Sequence, residues 1–196
     1  LDIALIESDD IPTVGVGEAT IPTMLTLHEL LGINEREFMA EVNGTFKLGI
    51  SFENWRDVGK DYIHSFGFTG KDCWAAGFQH FWLKGKQMGI AKDFGQYCAE
   101  LIAAEQNKFA VTPKSGLNYA YHIDAGRYAA FLRRLAEKHG AKRIEGKIVG
   151  VNLHNETGYI ESLTLASGKV IEGDLFIDCS GSVSYTHLRA HETETN

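Results

Sequence analysis

One lysine stands in a run of otherwise apolar and small residues, Asn43-Gly44-Thr45-Phe46-Lys47-Leu48-Gly49-Ile50. Two readings are open for Lys47. A lysine on an amphipathic strand commonly buries its stem and keeps its ammonium in water, and composition favours that case. A partly buried ammonium has a depressed pKa instead, and can donate a hydrogen bond or act as a nucleophile. The loop Gly15-Val16-Gly17-Glu18-Ala19-Thr20 is a second feature, followed by Pro22 at a helix start. It is a near miss to GxGxxG, with Thr20 where the third glycine belongs. Glycines let the backbone approach a ligand, and a helix N-terminus favours an anion. The same residues also make a tight turn between strand and helix. Glu7 closes the apolar run Ile3-Ala4-Leu5-Ile6. An acid in that place either meets solvent or hydrogen-bonds a ribose hydroxyl, as at the end of the second strand of a dinucleotide-binding unit. Its glycine-rich partner would fall before Leu1.

Other reactive types carry less. The eight histidines show no ligand spacing, and His64, His80 and Cys73 match no metal template, so no metal is expected. Cys73, Cys98 and Cys179 are far apart and odd in number, which suits reduced thiols in a cytoplasmic protein. The aromatic-rich stretch from Tyr62 to Phe109 is long for a connection. Residue by residue it reads as core; as a block it suggests an aromatic-lined pocket for a flat, apolar substrate.

The elements that must position these residues follow from the apolar pattern. The chain has 196 residues, 26 acidic against 19 basic, for a net charge of −7. That balance argues against nucleic-acid and anionic-membrane surfaces. No apolar run is long enough for a membrane span, and no leader sequence is expected. With 21 Gly and only 3 Pro, the composition suits an α/β enzyme. Ile3 to Ile6 reads as a strand of a parallel sheet, buried on both faces. After Pro22, Met24, Leu27, Leu30 and Leu31 share a helical face that Gly32 terminates. Asn34 caps a second helix, and Thr45 to Trp55 alternates as strand. Tyr97 to Lys108 suits a helix. Asp124 caps the clearest helix, which runs to Gly140. Ile144 to Leu153 reads as one strand. Tyr159 to Ala166 and Lys169 to Ile171 form a hairpin around Ser167-Gly168, and Leu175 to Cys179 is a further buried strand.

Together these segments resemble the flavin-dependent tryptophan halogenase family. The resemblance rests on residues 11–22, on Leu31-Gly32-Ile33, and on Asn43-Gly44-Thr45-Phe46-Lys47. It continues through Phe52-Glu53-Asn54-Trp55, His64-Ser65-Phe66-Gly67, His122-Ile123-Asp124-Ala125 and residues 174–181. It implies an α/β, Rossmann-like FAD-binding fold of the flavin monooxygenase type, incomplete here, with an aromatic-rich substrate region inserted at about residues 55–120. It implies FAD, reduced by a separate flavin reductase, with halide and oxygen as co-substrates. A flavin hydroperoxide and halide yield hypohalous acid, which travels a tunnel to an electron-rich arene. Lys47 corresponds to the essential lysine on that path. The Gly15–Thr20 loop, with Val16, Gly17, Glu18 and Ala19, corresponds to the strap linking flavin and substrate sites. Glu7 corresponds to the ribose acid, and Ile148 lies where the backbone meets the adenine end of FAD. His64 and Phe66 match positions lining the substrate pocket. The segment between Trp55 and His64 is shorter than in tryptophan-specific members, which favours an indole or similar arene over free tryptophan.

The resemblance also implies that residues 1–181 are the N-terminal part of such an enzyme, inactive alone. The family's Trp-x-Trp-x-Ile-Pro motif, halide-binding turn and catalytic glutamate are expected beyond Gly181. Residues 182–196 resemble translated sequencing-adapter read-through, and are expected to be non-native or a disordered tail. A flavin hydroxylase or reductase of the same fold, and a non-catalytic binding module, are the alternatives.

Overall fold

The computed structural model describes residues 1–11, 18–111 and 116–179. The elements are β1 (Ala4–Glu7), β2 (Glu18–Ala19), α1 (Thr23–Leu30), α2 (Glu35–Glu41), β3 (Thr45–Lys47), β4 (Gly49–Phe52) and β5 (Tyr62–Ser65). After these come α3 (Phe78–Gln87), a 3-10 turn (Phe94–Tyr97), α4 (Ala99–Glu105), β6 (Ala120–Ile123) and α5 (Ala125–Lys138). The order ends with β7 (Lys142–Glu145), β8 (Ile148–Leu153), β9 (Ile160–Leu165) and β10 (Val170–Glu172). The chain divides into two units, Leu1–Pro12 with Arg133–Asn196, and Thr13–Leu132.

In the first unit β1 runs parallel to β7, with Glu7 opposite Glu145. The parallel strand agrees with the apolar run. Its burial does not: Ala4 is exposed, and Leu5 and Ile6 are only half-buried. Among the described residues β7 is its one neighbour, so apolar surface stays open. The expected single strand from Ile144 to Leu153 is two. Gly146, at φ +155°, turns the chain between β7 and β8, and its N–H donates to the Glu7 carbonyl at 2.9 Å. That backbone angle is open to glycine and strained for other residues. β8, β9 and β10 form an antiparallel meander, with the anticipated turn at Ser167-Gly168. Residues 175–179 form no strand, and Leu175 and Ile177 are each 80% exposed. A strand needs a neighbour for its backbone groups, and among the described residues none pairs with this segment.

In the second unit Pro22 and Gly32 bound α1 as expected. The Gly32 N–H reaches the Glu29 carbonyl at 3.0 Å, and the Ile33 N–H reaches the His28 carbonyl at 2.9 Å. The packed face differs from the one read off the leucines. Leu27, Leu30 and Leu31 are exposed, while Met24, Leu25 and His28 face the core. Contacts with Phe38, Tyr121 and Tyr128 on the His28 side decide the rotation of so short a helix. The His28 ring meets Phe38 edge-on at 4.4 Å between centroids, and its Nε2 lies 3.1 Å from the Tyr128 hydroxyl. Asn34 Oδ1 accepts the Glu37 N–H at 3.1 Å, and Asp124 Oδ1 accepts the Arg127 N–H at 2.9 Å, so both expected caps form. The core is Phe38, Val42, Tyr121 and Ile123, from α2 and its end and from β6.

Residues 45–55 form two strands rather than one. β3 joins β6 and β2, while β4 pairs with β5. The aromatic stretch becomes β5, α3, the 3-10 turn and α4. The expected helix at residues 97–108 is the shorter α4.

His28 ties stability to pH. It is buried, and among the described residues its Nδ1 is a buried nitrogen without a hydrogen-bond partner. Burial lowers its pKa below the usual 6.5, partly offset by the Glu35 carboxylate. The unfolded chain therefore takes up the proton first. The contribution of His28 is complete above 6.5 and is lost as pH falls toward the folded-state pKa. Urea midpoints measured on both sides of that value should fall on acidification, and His28→Phe should flatten the part of the slope due to this ring.

Candidate active site

Lys47 closes β3, opposite Ala120 of β6. Neighbouring residues on a strand face opposite ways, so Phe46 and Tyr121 share one face and Lys47 takes the other. The lysine does not snorkel, because only 7% of it is exposed. Its Nζ donates to the Thr20 carbonyl at 3.0 Å and lies 5.2 Å from the centre of the Phe66 ring. Burial holds its pKa below the usual value of 10.5. An ammonium has three N–H donors, and Thr20 takes one.

The carbonyl that receives Lys47 is itself fixed. The Thr20 N–H donates to the Tyr121 carbonyl at 2.9 Å, and its hydroxyl donates to that oxygen at 3.1 Å. The same hydroxyl accepts the Tyr121 N–H at 2.9 Å. Thr20 thus sits on β6 through both backbone and side chain. On the opposite face Glu35 Oε1 accepts the hydroxyls of Tyr119 and Tyr121, each at 2.7 Å. Burial and this carboxylate push both phenols up. These links join residues far apart in the chain. Only the alternation Tyr119-Ala120-Tyr121 hints at them, because it puts both rings on one face of a strand.

The expected site residues divide between the units. Lys47, Thr20 and Phe66 come together in the second. Glu18 and Ala19 form β2, antiparallel to β6 and opposite Ile123 and His122. Gly15, Val16 and Gly17 lie outside the described residues, as do residues 182–196. His64 lies on β5 opposite Ile50 and is exposed, two residues before Phe66. In the first unit Glu7 accepts Arg143 Nε at 2.6 Å and Arg133 Nη1 at 3.0 Å. The Arg143 hydrogen bond, then that of Arg133, lowers its pKa. Glu7 is therefore an ionised, partly exposed acceptor at a strand end, a chemistry that fits a ribose hydroxyl. The sequence contains no short-range signal for these arginines. Ile148 opens β8 opposite Leu165 and is half-buried. Among the described residues no group of three or more His, Cys, Asp or Glu could hold a metal ion, and no helix is long and apolar enough to cross a membrane.

A family model described as tryptophan halogenase matches residues 1–195. The chain belongs to the tryptophan halogenase family. It is similar to a flavin-dependent halogenase from Xanthomonas campestris, 59% identical with a TM-score of 0.88, over 92% of this chain and 37% of that one. A flavin-dependent halogenase from a Brevundimonas species is 40% identical, with a TM-score of 0.83 over the same shares. The tryptophan 7-halogenase of Lentzea aerocolonigenes is 37% identical over 92% of this chain and 37% of its own length. The chain thus spans about 37% of the length of the family members it matches. Over that span it shares their α/β fold.

Proposed function

We propose that this chain supplies the lysine-bearing part of an FAD-dependent halogenase acting on an electron-rich arene of the indole type. The observation that carries the reading is the Lys47 ammonium, buried beside Phe66 and hydrogen-bonded to the Thr20 carbonyl in a member of this family. Reduced FAD, when bound, would supply the chemistry that turns oxygen and halide into hypohalous acid. Glu7 would accept the ribose hydroxyls, residues 15–20 would form the strap beside the flavin, and Ile148 would meet its adenine end. Lys47 would hydrogen-bond the hypohalous acid and polarise the halogen toward the arene. Alternatively its free amine would exchange one hydrogen for halogen, releasing water, and then pass the halogen to the ring carbon and recover the proton. Either route confines a diffusible oxidant. His64 and Phe66 would line the substrate pocket.

A flavin reductase would be the functional partner and the cytoplasm the location. Residues 1–181 would correspond to the partial FAD-binding domain, with substrate contacts from about residues 55–120, and residues 182–196 to a tail without function. The test is the full-length gene product with reduced FAD, a reductase, oxygen, bromide and indole. A product in which halogen replaces hydrogen is expected, and the 196-residue chain alone should give none. A hydroxylated product would favour the hydroxylase alternative instead.

A further inference from the structure

Glu100 is a carboxylate that the proposed reaction does not use. It lies in the first turn of α4, where an acid ordinarily faces water and meets the positive end of the helix dipole. Here it is only 4% exposed. Burying a charge is costly unless it is well hydrogen-bonded. Its Oε1 accepts the Asn118 N–H at 2.8 Å. Its Oε2 lies 3.6 Å from Cys98 Sγ, and that sulfur is 3.1 Å from Ser65 Oγ. Gly67 packs directly on the carboxylate, so that an added Cβ would overlap Oε2 and come within 2.9 Å of Cys98 Sγ. Only glycine fits against this carboxylate.

The two segments that Glu100 joins are the two that flank Lys47. Asn118 precedes Ala120, the strand partner of Lys47, by two residues. Ser65 and Gly67 bracket Phe66, whose N–H donates to the carbonyl of Leu48, the residue after Lys47, at 2.8 Å. Neither segment bonds to the other through a regular ladder, because β6 belongs to the sheet of β3 and β5 to that of β4. We propose that Glu100 is a positioning residue: by clamping Gly67 to Asn118 it fixes the Phe66 ring over the Lys47 ammonium. The proposal rests on the reading of Lys47 as the reactive lysine, but it concerns the environment of that lysine and not the halogenation itself.

The test is a pH titration of Lys47 in the full-length protein, without flavin or halide. Modification by an amine-reactive acylating reagent is read at the Lys47 peptide by mass spectrometry, with exposed Lys108 as internal reference. Glu100→Ala and Gly67→Ala should both let Phe66 move away and admit water. The Lys47 midpoint should then rise above its value in the unsubstituted protein, by about one pH unit, the ordinary spread of lysine values in folded proteins. Glu100→Gln keeps the shape and the acceptor for Asn118, and should leave the midpoint in place. A midpoint that stays put in a folded Glu100→Ala protein overturns the proposal. So does an equal downward shift in the Ala and Gln variants, which would report only the loss of a negative charge. Should Glu100→Ala fail to fold, Gly67→Ala decides in the same way. Because the readout needs no turnover, a protein that does not halogenate indole can still support or overturn the clamp.

Discussion

Replacing Lys47 with methionine should remove halogenation while leaving the protein about as stable as before. The methionine keeps most of the apolar stem and deletes the ammonium. Removing one preorganised donor from a water-poor site costs about 10²–10³-fold in kcat. In the proposed reaction the donor would also confine the oxidant, so the full-length Lys47→Met or Lys47→Ala protein should fall at least about 10³-fold. Stability behaves differently. Burial disfavours the charged form of Lys47, so at neutral pH its proton is held less readily in the folded chain than in the unfolded one. Methionine removes that penalty and loses one hydrogen bond to Thr20, worth about 1 kcal/mol. The two offset, and the urea midpoint should move by no more than about 1 kcal/mol of stability. The pH profile adds a sign. If the ammonium is the working form, the rate falls as pH rises through its pKa, and it does so earlier than for a lysine at the usual 10.5. If the free amine is the working form, the rate rises there instead. Flavin binding with undiminished halogenation in Lys47→Met would remove the lysine from the mechanism.

Phe38→Ala should give the opposite pattern, with stability lost first and the site loosened as a consequence. Phe38 has no exposed surface. Its ring meets His28 at 4.4 Å, Tyr121 at 5.3 Å, and Tyr128 and Phe131 at 5.7 Å each. These partners lie on three different elements, so the cavity left by truncation has little freedom to collapse. Such a change costs about 3–5 kcal/mol, from the ~5–15 kcal/mol by which domains are typically stable. Chemical denaturation measures it directly, and a loss below about 1 kcal/mol would show that the site repacks. Tyr121 carries this packing to Lys47. Its ring rests on Phe38, and its backbone holds Thr20, whose carbonyl receives Lys47. The Lys47 titration that tests Glu100 should therefore also shift in Phe38→Ala.

Much of the local structure was legible from short stretches. Asn34 and Asp124 cap helices because their side-chain oxygens reach N–H groups three residues on. Gly32 ends α1, and Ser167-Gly168 turns a hairpin, for equally local reasons of backbone angle. Glu7 ends a strand where the apolar run ends. The misreadings have a common origin. The apolar pattern of α1 puts its leucines on the buried face, yet His28 occupies that face, because Phe38, Tyr121 and Tyr128 stand on that side. Residues 175–179 have a strand composition and no strand partner among the described residues.

The sequence by itself determined the family and the extended backbone at Lys47. The tertiary structure decided that Lys47 is buried and not snorkelling, that the Thr20 carbonyl receives it, and that Glu100 joins the segments on either side. Caps, turns and periodicity are settled within a few residues by backbone dihedral angles. Burial and charge pairing are sums over neighbours about a hundred residues away in the chain, such as Thr20 and Tyr121, and no local pattern encodes which neighbours those will be.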